Sequence, residues 1–344
     1  MRAAVFYEHG DIDKLVIADV PQPQVGRGDV LVKVHAVALN HLDLHVRRGL
    51  PGLKLTYPHI GGSDISGTVA EVGPDVTTVQ VGQRVVVNPA FWQEDGSEEV
   101  VRAEHPLAPS FEIIGEHRPG GLAEYVAVPE RNILAVPYGV DLTAIASVPL
   151  VFQTAWRALI TQGQLRAGES VLILGASGGA ATAAIRIAKL AGAYVYAVTS
   201  SEQKAAAARA LGADETIDRT ASDFSREVFQ RTGKRGVDLV LENTGAATWK
   251  GSLRAARRGG RIVSYGATTG PIGETDIRIL FWKQLHIIGS TMATRAEFNT
   301  VMRLIFQGRL KPVVDRVLPL DQIREAHRLL EAGEQFGKVV LRVE

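Results

Sequence analysis

From Met1 to about Val148 the apolar residues come in short runs such as AAVFY, DVLVKVHAVAL, GTVAEVG and RVVVNP. These runs are rich in Val and Ala, and Gly, Pro and Asp cut them at short intervals, which predicts a mainly β segment. No helical spacing stands out there, and the polar stretch from Gln93 to Ser110 reads as a surface loop. After Pro149 the pattern changes. TAWRALITQ predicts a short helix, and from Ser170 strand and helix alternate: VLIL, a helix over Ala180 to Ala191, YVYAVT, and a helix over Glu202 to Leu211. The later runs VDLVLEN, GRIVSYG and HIIGST predict further strands. Such alternation argues for an α/β fold with a parallel sheet wrapped by helices.

Beyond about Ser290 come an amphipathic segment, AEFNTVMRLIFQG, a second helix, LDQIREAHRLLEAG, and a closing strand, GKVVLRV. We place this tail with the first domain, giving one domain over 1–150 and 291–344 and another over 151–290. The 344 residues are enough for two cores of ordinary size.

Composition narrows the possibilities. A net charge of +1 gives no bulk field toward nucleic acid or a membrane surface. The longest uncharged stretches, Val171 to Ile185 and Leu142 to Trp156, fall short of a membrane span. MRAAVFYEHGD lacks a signal-peptide core, and the chain has no cysteine, so disulfides and thiolate metal sites are excluded. Both features fit a cytoplasmic protein; a hot habitat would also explain the missing cysteine.

The most informative motif is the turn Gly175-Ala-Ser177-Gly178-Gly179-Ala180-Ala181, which follows an apolar strand and opens a helix. Small residues let the backbone turn tightly and approach a pyrophosphate, which then sits at the positive end of the helix. Ala181 replaces the third glycine, a tolerated change where helix and strand pack closely. The next strand ends at Thr199, 20 residues beyond Gly179, where the ribose-reading residue belongs. An acid there would repel a 2′-phosphate. Thr199 and Ser200, with Lys204 and Arg219 following, suit a phosphate dianion and favour NADP(H) over NAD(H). Thr154, Asn243, Thr244, Gly245, Gly266 and Ala267 fall at a helix or at strand ends beside the expected crevice, where cofactor contacts occur. A packing turn in some other α/β protein is the rival reading.

Several segments together resemble the medium-chain dehydrogenase/reductase superfamily over essentially the full chain: LNHLDLHVRRG (39–49), GGSDISGTVAEVG (61–73), GEHRPGGLAEYVAVP (115–129), TAWRAL (154–159), GASGGAATAAIRIAKLAGA (175–193) and FGKVVL (336–341). The resemblance implies a GroES-like catalytic domain and a Rossmann dinucleotide-binding domain, with the active site in the cleft between them. Zinc members of the family have a Cys ligand in the first motif, Gly-His-Glu in the second, and a Cys or acid just before the TAW helix. Here those positions hold Asn40, Gly62-Ser63-Asp64 and Leu150. Only Asp64 can ligate zinc well, so no metal site is expected. Regrouping of His41, His45 and His117 around a metal is the weaker alternative. The structural-zinc lobe of those enzymes corresponds to Gln93–Ser110, which reads as metal-free.

Asn40, Asp43 and Gly62-x-Asp64 resemble the quinone oxidoreductase branch instead, whereas His41 and His45 depart from it, and His45 matches the alcohol dehydrogenases. Without a Lewis acid, hydrogen-bond donors suffice when negative charge is delocalised, as in an enolate or a hydroquinone anion. The expected reaction is hydride transfer from NADPH to a quinone or an α,β-unsaturated carbonyl. Asn40 would orient the nicotinamide or polarise the substrate oxygen. His45 would donate the proton, because an ordinary histidine titrates near neutrality. Asp43 and Asp64 would hold backbone groups or fix His and Arg neighbours. Phe152, Trp156, Phe281 and Trp282 read as core before pocket lining. An alcohol dehydrogenase or carbonyl reductase with an unusual metal site or none, and a weakly catalytic NADP(H)-binding sensor or structural protein, stay open. The partners expected are a small-molecule substrate and further copies of the chain, in a homodimer or homotetramer, with HIIGST pairing edge to edge.

Overall fold

The computed structural model describes residues 1–343. The chain divides into two units: Met1–Leu150 with Ala293–Gln307 and Pro312–Glu344, and Val151–Met292 with Gly308–Lys311. The sequence pattern puts 291–292 and 308–311 in the other domain. These few residues cluster with the second unit, because a change of pattern along the chain does not locate a domain crossing to the residue.

The first unit is mainly β. Its largest sheet centres on the long strand Asp29–Ala38, which pairs antiparallel with Asp64–Val72, Tyr125–Pro129 and the tail strand Lys338–Arg342. Alternation puts Val30, Val32 and Val34 into one core with Phe6, Ile65, Val85, Leu122 and the tail residues Ile323, Leu330 and Leu341. The tail also adds Val314–Pro319, a strand not expected from the sequence, which pairs in parallel with Lys338–Arg342.

Two further features of this unit depart from the sequence reading. His41–Arg48 is helical. It is short and carries more charge than apolar surface, so periodicity did not reveal it. Its start is held by Asp43, whose Oδ2 accepts the Asn40 N–H at 2.7 Å. The stretch 93–110 is also more than a loop. It contains a helical turn over Glu98–Val101, and the buried His105 stacks on Trp92 with ring centroids 3.9 Å apart. The Arg131 guanidinium lies 5.5 Å from the Trp92 ring centroid. Aromatic and cation–π packing thus ties this lobe to the rest of the unit.

The second unit holds a six-stranded, all-parallel sheet in the order Glu215–Asp218, Tyr194–Thr199, Ser170–Ile173, Val237–Glu242, Ala256–Ser264, His286–Gly289. The chain begins in the third position, builds outward to one side, and then restarts beside its first strand. The order therefore reverses between Ser170–Ile173 and Val237–Glu242. A crevice beyond the carboxyl ends of the strands opens at such a switch point. Leu172, Val198, Ile217, Val240 and Ile262 form the core of this unit with Val228 and Leu253 from the covering helices. Among the described residues no helix is long and apolar enough to cross a membrane.

Candidate active site

In the parallel-sheet unit the expected turn is built as the sequence requires. Strand Ser170–Ile173 leads into Gly175, whose φ of +54° favours glycine, and helix Gly179–Leu190 begins four residues on. A Cβ added at Gly178 would meet only the Gly175 carbonyl, at 3.5 Å, so the backbone presents an open face. Ala181 is buried, with Ala183 and Ala184, where the helix packs on the sheet. Ser177 and Ala180 are half-buried on the same turn.

Thr199 ends the next strand and is buried, and its hydroxyl has no hydrogen-bond partner. Ser200 follows, and Ser201 caps helix Glu202–Leu211 by accepting the Lys204 N–H at 3.3 Å. The Arg219 N–H donates to the Thr199 carbonyl at 3.0 Å, which brings the start of the Arg219 loop to the same strand end. The Asn243 side chain faces Gly175: a Cβ there would lie 3.7 Å from Asn243 Oδ1. Gly266 and Ala267 follow the adjacent strand. Thr154 lies apart from these strand ends in sequence; it is buried, and its hydroxyl reaches Met292 Sδ at 3.7 Å. An open glycine turn, a helix N-terminus and an orphaned buried hydroxyl at the ribose position fit a dinucleotide.

In the first unit three strand ends meet. Ala38 pairs with Asp64 on one side and with Val340 on the other. Residues just past or at these ends, Asn40, Asp64 and Lys338, are therefore brought together and buried. The Lys338 ammonium donates to Asp64 Oδ2 at 2.8 Å and to Asn40 Oδ1 at 2.5 Å. Asn40 Nδ2 donates to the same Asp64 oxygen at 3.0 Å and lies 3.4 Å from the Ala38 carbonyl. The other Asp64 oxygen accepts the Leu150 N–H at 2.6 Å.

This geometry revises several expectations. Both hydrogens of the Asn40 amide point at protein acceptors, so Asn40 in this arrangement organises the cluster and has no N–H left for a substrate oxygen. Asp64 holds backbone as expected, at the Leu150 N–H, but the side chain it fixes is a lysine, not a His or Arg. Lys338 was missed by sequence reasoning, although FGKVVL was among the segments that carried the resemblance. Its partners lie some 270 to 300 positions away, and only the strand pairing shows that they meet.

Asp43 does hold backbone: its Oδ1 accepts the Gly62 N–H at 2.8 Å, in addition to its bond with the Asn40 N–H. Burial pushes its pKa up to about 6, while those N–H groups and Lys338 resist the rise. His45, half-buried on the same helix, is lowered by burial and by Arg48, so it is less readily protonated at neutral pH than the sequence suggested. The solvent-accessible His41 has protein on most sides. Desolvation, with the charges of His45 and Lys338, takes it down to about 4. Phe281 and Trp282 are exposed, contrary to the core expectation, whereas Phe152 is buried.

The donor set around Asp64 does not suit zinc. Asn40 is a weak ligand, Ser63 is a hydroxyl, Leu150 offers an apolar side chain, and an ammonium already pairs with the one carboxylate. Among the described residues no group of three or more His, Cys, Asp or Glu is placed to hold a metal ion.

Residues 26–138 match the family described as Alcohol dehydrogenase GroES-like domain, and 179–307 match Zinc-binding dehydrogenase. An acryloyl-coenzyme A reductase of Sulfurisphaera tokodaii is 31% identical, with 95% of this chain and 96% of that protein covered. A quinone oxidoreductase of Homo sapiens is 28% identical over 99% of this chain and 97% of its own. Among solved structures, one described as an NAD-dependent alcohol dehydrogenase is 43% identical, covers all of both chains and superposes with a TM-score of 0.96. The chain belongs to the medium-chain dehydrogenase/reductase superfamily, with a GroES-like domain and a Rossmann-like domain. It is a nicotinamide-dependent oxidoreductase.

Proposed function

We propose that the protein reduces an α,β-unsaturated carbonyl or a quinone with hydride from NADPH, without catalytic zinc. The observation that carries this reading is the buried Asn40–Asp64–Lys338 cluster: an ammonium and an amide stand beside the one carboxylate among the positions where zinc relatives keep their ligands. The acryloyl-coenzyme A reductase and quinone oxidoreductase relatives support it, since both names denote reduction of a conjugated acceptor.

When bound, NADPH would supply the hydride and so become NADP⁺. In an enone the hydride adds to the β-carbon, the electron pair of the C=C bond moves to the α-carbon and carbonyl oxygen, and a proton completes the α-carbon. The delocalised enolate needs hydrogen bonding more than a Lewis acid. The turn at 175–181 and the following helix N-terminus would hold the NADPH pyrophosphate. Ser200, Lys204 and Arg219 would hold the 2′-phosphate. Lys338 keeps a third N–H beyond those given to Asn40 and Asp64, and its charge favours anion development near the cluster. His45 passes the proton inward from solvent. Its conjugate acid is the donor, so the step is faster as pH falls toward its lowered pKa. In this reading the protein acts in the cytoplasm as a homodimer or homotetramer, the strand His286–Gly289 at the sheet edge pairing with its copy.

A second reading, interconversion of alcohols and carbonyls with NAD(H), is favoured by the likeness to the 43%-identical structure described as an NAD-dependent alcohol dehydrogenase. A comparison of kcat/KM decides between them. NADPH oxidation with a short enone or 1,4-benzoquinone should exceed NADH-dependent aldehyde reduction by at least about tenfold. The reverse order would replace the first reading by the second.

A further inference from the structure

A fully buried carboxylate with no part in the chemistry above, Glu242, sits at the switch point of the parallel sheet, on the last position of strand Val237–Glu242. Its Oε1 accepts the N–H groups of Thr244 at 2.8 Å and Gly245 at 3.0 Å, and the Thr248 hydroxyl at 2.8 Å. Its Oε2 accepts the same hydroxyl at 3.0 Å and that of buried Ser252, on helix Trp249–Ala255. One carboxylate thus ties a loop to the helix that follows it.

The loop it holds, 243–245, is in turn the seat of a second loop. Thr268 and Thr269 donate their N–H groups to the carbonyls of Asn243 and Thr244 at 3.2 and 2.8 Å, and Ala246 donates to the Gly270 carbonyl at 3.1 Å. Gly245 has a φ of +85°, and a Cβ there would come within 2.5 Å of the Gly270 carbonyl oxygen. The first loop also faces the turn at Gly175, where an added Cβ would lie 3.7 Å from Asn243 Oδ1. Moving 243–245 would therefore move all three walls at the carboxyl ends of the strands.

We infer that Glu242 is a positioning residue for the dinucleotide, setting the 243–245 and 266–270 loops against the turn at Gly175. This rests on the reading that this end of the sheet binds the nicotinamide cofactor. A carboxylate suits the task because it can accept two backbone N–H groups and two hydroxyls at once. An amide in its place has one acceptor oxygen and presents N–H donors to hydroxyls that now donate.

Glu242→Gln tests this, with NADPH affinity read from nicotinamide fluorescence and folding read separately by thermal melting without ligand. The expected result is a Kd raised by about tenfold in a folded protein, together with a raised KM for NADPH and a smaller change in kcat. Ser252→Ala, which loosens only the helix side, should lower the melting temperature and leave Kd within about twofold. If Glu242→Gln fails to fold, Thr248→Val removes a hydroxyl from the same carboxylate, and a raised Kd is expected there. A Kd within about twofold of wild type in the folded variant overturns the inference, whatever happens to the melting temperature. Failure of the wild-type protein to bind NADPH or NADH would overturn the cofactor reading and this inference with it.

Discussion

Lys338 and Asp64 form a buried ion pair, ammonium nitrogen to carboxylate oxygen 2.8 Å, with side chains 4% and 0% exposed. Removing one partner leaves the other charge buried and uncompensated. Lys338→Met should cost about 3–5 kcal/mol in denaturant unfolding. The double variant Asp64→Asn with Lys338→Met should cost clearly less than the sum of the single variants. Additive losses would show that the pair is not coupled as described.

In the proposed reading, cofactor choice depends on the cations and hydroxyls beyond Thr199. Lys204→Ala and Arg219→Ala should each weaken NADPH by about tenfold and leave NADH nearly unchanged, as expected for loss of a charge-assisted bond to a 2′-phosphate. Equal weakening of both nucleotides in a titration would assign these residues to the fold instead. Tighter NADH than NADPH binding by the wild-type protein would reverse the assignment.

His45 has a pH signature. Its pKa lies below the ordinary 6.5, lowered by burial and by Arg48. As the proton donor it should give a reduction rate that rises as pH falls below neutrality and levels off only below 6.5. His45→Ala should flatten that limb and slow turnover by about a hundredfold. An unchanged pH profile would remove the residue from the proton path.

His327 predicts the acid stability. It is buried, its Nδ1 accepts an N–H from Arg47 at 3.0 Å, and Nε2 has no partner. Burial, then the charges of Arg47 and Arg48, take its pKa from 6.5 down to about 3. Below pH 6.5 the unfolded chain protonates this ring while the folded protein does not. The contribution is therefore intact above 6.5 and lost as pH falls toward about 3, with a slope of about 1.4 kcal/mol per pH unit. His327→Gln should reduce the slope of unfolding free energy against pH by that amount. The same slope in both proteins would contradict it.

Much of this architecture was legible in the sequence because its signals are local. The VLIL strand, the small residues from Gly175 to Ala181 and the Thr199 strand end lie within a single strand–helix–strand run, so spacing alone placed them. The cluster in the first unit was only half legible. Asn40, Asp43 and Asp64 fall within motifs, but what each does depends on partners brought in by sheet pairing. Lys338 arrives from the tail strand and binds Asn40 Oδ1, while Asp64 and the Ala38 carbonyl take the amide N–H groups that had made Asn40 a candidate substrate donor. Glu242 was hidden differently. Within VDLVLEN it reads as the polar end of a strand, and only the folded loop shows how many donors converge on it. His41–Arg48 escaped because a short, charged helix has little apolar periodicity and depends on the Asp43 bond at its start.

Asn40, Asp64 and Lys338, in the proposed mechanism, stand in place of a metal. Zinc content, measured by mass spectrometry on purified protein with NADPH–enone turnover recorded before and after a strong chelator, tests this most directly. The predicted result is zinc far below one per chain and turnover that the chelator leaves unchanged. One zinc per chain, whose removal abolishes turnover and whose return restores it, would contradict it.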